Sequence, residues 1–195
     1  GFGAMSSTDN ARANVAIGFN TLTTLDYSSL TYSHNIAIGF EAGKTITTGV
    51  QNTIIGGLAG DALTIGNNNV AIGYLALSTS VDGDSNTAIG YKALEDYEDG
   101  DGNGHNTAVG ASSQLNATTG EFNTSLGSLS MGVGVTTGDY NVAIGKSAGE
   151  DLTSGYSNAL IGAFAGRNLL SGVQNVGIGY GTLATNIDGD NNTAV

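Results

Sequence analysis

Asparagine recurs at nearly constant spacing along this chain, and this spacing constrains the fold more than any other feature. Eleven residues form the series: Asn14, Asn35, Asn52, Asn69, Asn86, Asn106, Asn123, Asn141, Asn158, Asn175 and Asn192. Seven of the ten intervals are 17 residues long, and the others are 21, 20 and 18. Repetition at a short fixed period is typical of a solenoid, in which each repeat forms one coil stacked on the last.

Each asparagine opens the same five-residue phrase. With Asn as position 0, position +1 is usually Val or Thr, +2 is usually Ala, +3 is usually Ile, and +4 is Gly in all ten complete repeats. β-Branched residues favour a short strand whose alternate side chains point to opposite faces. We expect Ile at +3 to fill the coil, and the small +2 row to let another surface approach closely. The clearest repeats are Asn69, Ile72 and Gly73; Asn86, Ile89 and Gly90; and Asn141, Ile144 and Gly145.

A second glycine precedes most of the asparagines by three residues, often after Thr, Ser or Asp, and predicts the turn that closes each coil. Between the two glycine turns, a large apolar residue occupies either position +8 or position +11. Leu77 is an example of the first arrangement, and Gly60 followed by Leu63 of the second. We expect such residues to fill the same interior space from either place.

The asparagine column itself has two interpretations. Stacked Asn side chains can pair their amides along the axis of a solenoid and hold its corner turns. The alternative is a column of asparagines that binds a ligand.

Composition excludes several classes of protein. The 195 residues carry a net charge of −12, and the five basic residues are scattered, which argues against binding to nucleic acid or to an anionic membrane surface. The sequence has no Cys and therefore no disulfide. No apolar run is long enough to suggest that this segment inserts into a membrane.

At Asn141–Gly145 (Asn-Val-Ala-Ile-Gly) and at residues 69–73 the chain resembles the head domains of trimeric autotransporter adhesins. The Asn-Thr-Ala-Ile-Gly-Tyr form at residues 86–91 is similar to repeats of bacteriophage tail fibres. The resemblance covers residues 14–195. It implies an all-β left-handed parallel β-roll of ten to eleven coils, with three chains packed around one axis.

The adhesin repeat is usually shorter, so this coil requires a longer return segment or an additional corner. Residues 1–13 are expected to be an irregular N-terminus or a remnant of cloning, because the opening residues lack the repeat. Residues 14–195 are expected to form the β-roll, as a fragment of a longer fibre. The resemblance also implies an extracellular location, on a virion tail fibre or a bacterial surface.

One segment has the pattern of a calcium loop. Asp99, Asp101 and Asn103 place oxygen ligands at alternate positions, and Gly104 permits a sharp turn. The Glu expected at the twelfth position is replaced by Gly110. The alternative to a calcium site is a solvated acidic loop. We expect no other cofactor.

Aromatic residues recur at position +5, and we interpret Tyr74, Tyr91 and Tyr180 as candidate receptor-facing side chains. The alternative is that they pack on neighbouring coils or chains. His34 and His105 both precede a repeat Asn, where three copies in a trimer could converge on an anion or a metal, or where they could be simple corner residues. No large insertion suggests a catalytic site.

The sequence therefore predicts a non-enzymatic rod or head segment of a homotrimeric surface fibre, contacting a glycan or protein receptor on a cell. Two alternatives remain open: a monomeric solenoid that binds ice or polysaccharide along a flat face, and a segment of a polysaccharide depolymerase. Thr at +1 favours an ice-binding face, but Val interrupts the column.

Overall fold

The computed structural model describes residues 1–6, 9–98 and 104–195, and within these ranges the chain is built from short strands and turns without a helix. The strands are β1 Asp9–Arg12, β2 Val15–Ile17, β3 Asp26–Tyr32, β4 Ile36–Ile38, β5 Thr53–Ile55, β6 Val70–Ile72, β7 Thr87–Ile89, β8 Thr107–Val109, β9 Thr124–Leu126, β10 Val142–Ile144, β11 Ala159–Ile161, β12 Val176–Ile178 and β13 Thr193–Ala194.

Eleven of these strands, β2 and β4–β13, form one parallel sheet in chain order. The register follows the sequence repeat, so that Val70 lies beside Thr87, Ala71 beside Ala88 and Ile72 beside Ile89. The all-β fold and the coil length predicted from the asparagine spacing are confirmed: the chain is a parallel β-solenoid of about 11 turns of about 17 residues.

Glycine at position +4 is required where the strand ends. Gly73 has a φ of +137°, and a β-carbon at this position would collide with the carbonyl oxygen of Gly90 in the next coil. No side chain fits between these two backbones, which explains why position +4 is Gly in every complete repeat.

The prediction that Ile at +3 fills the coil is wrong. In β6 and β7 the central +2 residue is buried, whereas the +1 and +3 residues, including Ile72 and Ile89, are only partly buried. Ile144 at +3 of β10 has the same orientation. The interior beneath the strand is narrow, and Ala at +2 fits it. The small +2 row therefore faces the inside of its own coil and does not accommodate a neighbouring surface.

The asparagine column runs through the interior and is structural. The backbone N–H of Asn86 donates to Oδ1 of Asn69 (2.9 Å), so each asparagine oxygen positions the next coil. Nδ2 of Asn69 donates to Oδ1 of Asn52 (3.2 Å) and to the carbonyl oxygen of Gly83 (2.7 Å), which lies in the closing turn of the same coil. Asn69 is fully buried with these partners, as buried polar groups require. The amide of Asn69 is therefore fully used in contacts within the column.

The remaining interior is filled mainly from positions +8 and +11. Leu63 at +11 and Leu77 at +8 are both fully buried, as the exchange between these positions predicted. Two coils bury a large residue at both positions, Leu22 with Leu25 and Leu94 with Tyr97. These two coils follow Asn14 and Asn86 and have the longest intervals, 21 and 20 residues. The extra residues accompany a larger interior.

The first interval also contains a small additional sheet. Strand β1 pairs in parallel with β3 outside the main sheet. Tyr27 of β3 is buried and donates its hydroxyl to the carbonyl oxygen of Gly49 (2.7 Å), which joins this insertion to the second coil. Burial raises the pKa of the Tyr27 hydroxyl above its ordinary value.

The opening residues also contact the first coil, although they were expected to be irregular. The N–H of Asn20 donates to the carbonyl oxygen of Phe2 (3.0 Å), and the N–H of Met5 donates to that of Thr21 (2.9 Å). The ring of Phe2 stacks on that of Phe19, with centroids 5.7 Å apart. Residues 1–5 thus add to the end of the stack, and the Gly-Phe pair that they share with Gly18 and Phe19 is the sequence signal for it.

Candidate functional site

The most extensive feature of the surface is the outward side of the eleven-stranded sheet. We call it the outer face and define it as the +1 and +3 side chains of β2 and β4–β12. Every one of these residues is aliphatic or Thr, in a chain whose net charge is −12. Ile17, Leu126 and Ile178 on this face are substantially exposed. A regular, uncharged strip of this kind is unusual on the surface of a soluble protein, which makes it a candidate site of interaction.

One border of the outer face carries aromatic residues at position +5. Tyr74 and Tyr91 lie in successive coils with their rings nearly parallel, at an angle of 9° and a centroid separation of 6.1 Å. Each is 51% exposed. Nζ of Lys92 lies 5.8 Å from the centre of the Tyr91 ring. Because the two rings stack on each other between coils, each covers one face of its neighbour.

The opposite border, at position −1, carries a second aromatic ladder that the sequence analysis did not identify. The rings of His105 and Phe122 are 4.9 Å apart, and those of Phe122 and Tyr140 are 5.2 Å apart, each pair within 7° of parallel. All three residues adopt left-handed backbone conformations, with φ between 55° and 58°. Their separation by 17 and 18 residues was the available signal.

A different arrangement occurs where the coils that begin at Asn158 and Asn175 meet. The rings of Phe164 and Tyr180 are 5.6 Å apart and almost perpendicular, at 80°. They line a cleft of about 350 Å³ together with Arg167, Asn168, Gly181, Ala184 and Thr185. Tyr180 is 80% exposed and does not lie near Tyr74 or Tyr91, although all three occupy position +5.

Two cations lie near the Phe164 ring, and one of them, Arg167, lines the cleft. Nζ of Lys146 lies 5.7 Å, and Cζ of Arg167 5.5 Å, from the centre of the Phe164 ring, within the range of cation–π contacts. Nε of Arg167 donates to Oε2 of Glu150 at 2.7 Å. Glu150 is largely buried, so this bond fixes the guanidinium at the rim. The chain has only five basic residues, and two of them contact this one ring.

The predicted calcium ligands Asp99, Asp101 and Asn103 lie outside the described residues, so that site stays a prediction. Next to it, burial raises the pKa of the Glu98 carboxyl above its ordinary value, and the adjacent Asp82 raises it further. Within the described ranges, no cluster of three or more His, Cys, Asp or Glu side chains is arranged to hold a metal ion.

The two histidines lie in the −1 column, beside aromatic rings. His34 stacks on Tyr32 at 6.3 Å, and His105 on Phe122. The hydroxyls of Ser113 and Ser125 are buried and 2.6 Å apart, and they form a polar segment of the core together with Gln114, whose Nε2 donates to Ser125 Oγ (2.9 Å). These serines face the interior, where they pair with each other and have no access to a substrate.

Comparison with known proteins adds no identity to this description. The sequence matches no protein-family model, no curated protein and no solved structure. In the part of the chain that the structure describes, no helix has the length and apolar character needed to cross a bilayer.

Proposed function

We propose that this chain is a rigid rod or head segment of a homotrimeric surface fibre, a phage tail fibre or bacterial adhesin, that contacts a receptor on a cell surface. The segment acts by binding and projection, without catalysis. The outer face is the observation that carries the proposal, because it gives a single chain a reason to associate with copies of itself.

The dimensions of the outer face suit self-association. The ten strands of the outer face, each three residues long at about 3.3 Å per residue and stacked over nine spacings of about 4.8 Å, give a strip of roughly 10 by 43 Å. An uncharged patch on the order of 430 Å² is within the range of the largest patches that soluble monomers expose. With the aromatic ladders on its borders, the strip approaches the roughly 800 Å² per partner that stable interfaces bury. The number of three chains comes from the resemblance to adhesin heads.

The interior explains how such a segment would serve as a rod. Every coil is joined to the next by the buried Asn column and by backbone hydrogen bonds, such as that from Gly90 N–H to the Ile72 carbonyl oxygen (2.8 Å). A solenoid of this kind transmits position from one end to the other with little bending, and its sides offer long binding surfaces. An acidic exterior keeps separate fibres from adhering to one another.

Sedimentation equilibrium tests the proposal. A trimer would have three times the 19.5 kDa mass of the chain. Ile72→Asp places a charge in the middle of the outer face and is expected to lower the mass to that of a monomer. Ile65→Asp is the control, because it makes the same substitution at an exposed Ile that lies in a bend outside the strands. If the parent protein remains monomeric at micromolar concentration, the proposed homotrimeric fibre is wrong.

A second candidate uses the same face in a monomer. Four of the +1 residues on the outer face are Thr: Thr53, Thr87, Thr107 and Thr124. All four are partly exposed, and the last three lie in successive coils, so a short array of hydroxyl and methyl groups there could order water or lie along a polysaccharide. Thermal hysteresis of a monomeric sample would favour this candidate, whereas its absence in a trimeric sample would favour the fibre.

A further inference from the structure

We propose that copies of this chain pack side by side, parallel and in register, with the +5 border of the outer face of one copy against the −1 border of the next. The partner of both borders is thus a second copy of the chain. This inference rests on the proposed function, since it requires copies to associate. It adds the direction, the register and the paired surfaces of that association.

Both borders extend the uncharged character of the outer face. Across the ten complete coils the −1 and +5 positions contain no Asp or Glu, although the chain has 17 acidic residues, and Lys146 is the one Lys or Arg among them. The rings on these borders are about half exposed, with 51% for Tyr74 and 42% for Phe122. The strip without acidic residues is therefore wider than the strands, and its border side chains are accessible to a partner.

The two borders are complementary in size within a coil. In five of the ten complete coils, one border carries a ring and the other carries Ala, Ser or Asn. The rings lie on the +5 border in the first three of these coils and on the −1 border in the other two: Phe19, Tyr74, Tyr91, His105 and Phe122. A large side chain on one border is thus matched by a small side chain on the other.

The other five coils limit this pattern without reversing it. In two of them the ring is matched by a long flexible side chain, as Tyr140 is by Lys146, and in two more neither border carries a ring. Both borders carry rings in one coil, at His34 and Phe40. Crowding of two rings is therefore confined to one of the ten coils.

Rotation about an axis parallel to the rod would bring the complementary borders together. Such a rotation keeps each coil at the same height as its copies. With the outer face turned toward the axis, it sets the −1 border of one copy against the +5 border of the next. Each ring then meets a small side chain from the same coil of its neighbour, as a close-packed interface requires.

The charge on the borders supports the same arrangement. Lys146 on the +5 border would meet Tyr140 on the −1 border of the next copy, where a cation can lie over the ring. Asp139 directly precedes Tyr140, and its Oδ1 accepts a hydrogen bond from Glu121 N–H (2.9 Å), which holds the carboxylate in place. The single cation of the borders would therefore face both a ring and a carboxylate.

The main alternative is an antiparallel pair, in which each border meets itself. With Ser128 of one copy opposite Tyr74 of the other, such a pair would also set several rings against small side chains. It would place Lys146 against Gly57 instead of a ring, and it could not include a third copy. The parallel arrangement is favoured for both reasons.

A double-variant cycle on Phe122 and Ser128 tests the pairing. These residues lie on opposite borders of one coil, about 20 Å apart along an extended segment, and so they do not touch within one copy. Phe122→Ala leaves a void at the interface and Ser128→Phe overfills it, so each is expected to raise the dissociation constant of the assembly about tenfold or more. The double variant has the arrangement of Ala13 and Phe19 and should associate nearly as tightly as the parent. Sedimentation equilibrium measures the four dissociation constants.

Ser128→Phe combined with Tyr74→Ala is the matched control. It also removes an exposed ring, but one that lies three coils away on the same border as Ser128. The parallel arrangement predicts no rescue in this variant. The antiparallel pair predicts rescue here and none with Phe122→Ala.

Two outcomes would overturn the pairing: no rescue in the Phe122→Ala, Ser128→Phe variant, or rescue by Tyr74→Ala in its place. Circular dichroism of each variant checks that it is folded, which is expected because all three side chains are exposed. A parent protein that associates without rescue keeps the fibre and rejects only the pairing. A parent protein that stays monomeric rejects the fibre, and the pairing with it.

Discussion

A β-carbon on Gly166 would lie 2.6 Å from Cδ2 of Leu160. Leu160 is one of two large residues at +2, where most coils have Ala, and Gly166 at +8 leaves the space that it fills. The other is Ile54, whose Cδ1 would be 3.0 Å from a β-carbon on Gly60. In these two coils positions +2 and +8 therefore compete for the same space, since a close-packed interior tolerates neither a void nor a clash.

This shared volume predicts a strong coupling between Leu160→Ala and Gly166→Leu. The first variant leaves a cavity and is expected to lose about 2–5 kcal/mol of unfolding free energy. The second is overpacked and is expected to lose about 1–3 kcal/mol. The double variant has Ala at +2 and Leu at +8, as in Ala71 and Leu77, while Leu169 remains at +11, so its loss should be smaller than the sum of the two single losses. Urea unfolding of the four proteins measures the coupling, and additive losses would show that the two positions do not share space.

Because +2 side chains point into the coil and +3 side chains point outward, the same substitution at two neighbouring residues should change stability by very different amounts. Ala88→Asp places a carboxylate in the closed interior and is expected to prevent folding or to cost more than about 4 kcal/mol. Ile89→Asp lies on the outer face, so in dilute monomer it is expected to cost about 1 kcal/mol or less. Thermal unfolding at low protein concentration compares them. A larger loss of stability for Ile89→Asp than for Ala88→Asp would show that the +3 side chain points into the coil.

The asparagine column predicts that the amide of Asn69 contributes far more to stability than the amide of its neighbour Asn68. Asn69→Asp places a carboxylate opposite the Gly83 carbonyl oxygen and Asn52 Oδ1, and we expect a loss of about 3–5 kcal/mol at pH 7. Burial would raise the pKa of this new carboxyl in the folded state. The penalty should therefore shrink as the pH falls and the group becomes protonated.

Asn68→Asp is the control for this prediction. Asn68 is exposed and has a left-handed backbone that Asp also tolerates, so its replacement should change stability by less than about 0.5 kcal/mol. The measurement is the melting temperature of both variants between pH 4 and pH 7. Equal effects of the two substitutions would indicate that the column is not held by amide donors.

The raised pKa of Glu98 predicts that the folded protein becomes more stable on mild acidification. Burial, and then the adjacent Asp82, raises the pKa of Glu98 in the folded state above its ordinary value of 4.5. A raised carboxyl pKa means that the stabilising contribution is present at low pH and is lost as the pH rises through the folded value. Glu98→Gln removes this penalty and should melt higher than the parent at pH 7. The difference should disappear near pH 4, and a constant difference across this range would exclude Glu98 as its source.

The sequence predicts the solenoid because Asn at 0 and Gly at +4 recur in every coil, and both are fixed by contacts between neighbouring coils. The orientation of the strand was wrong because small and polar residues are usually assigned to the surface. The missed clue was that Asn69 and Ala71 share a face: once the Asn amide is paired inside the coil, Ala must be inside as well. The outward direction of Ile72 follows from the same alternation.

The aromatic positions show where such reasoning reaches its limit. Tyr180 was predicted as a surface residue from the +5 column, but Phe164 lies one position out of that column. It meets Tyr180 only because successive coils stack. The ladder through Phe122 depends on positive φ in a bulky residue, which single-residue preferences disfavour. A hydrogen bond to the preceding coil supports it, since Phe122 N–H donates to the Gly104 carbonyl oxygen (3.1 Å).

The Asn column has a mechanical consequence. Its bonds, like that from Asn86 N–H to Asn69 Oδ1 at 2.9 Å, run parallel to the rod axis, as do the hydrogen bonds of the sheet. Tension along the axis therefore loads them one coil at a time, and a terminal coil is expected to peel away before its neighbour yields. Each peeled coil would release 17 residues, or roughly 60 Å of extended chain. Under pulling, the rod should lengthen in steps of that size, so that a sudden load is absorbed gradually.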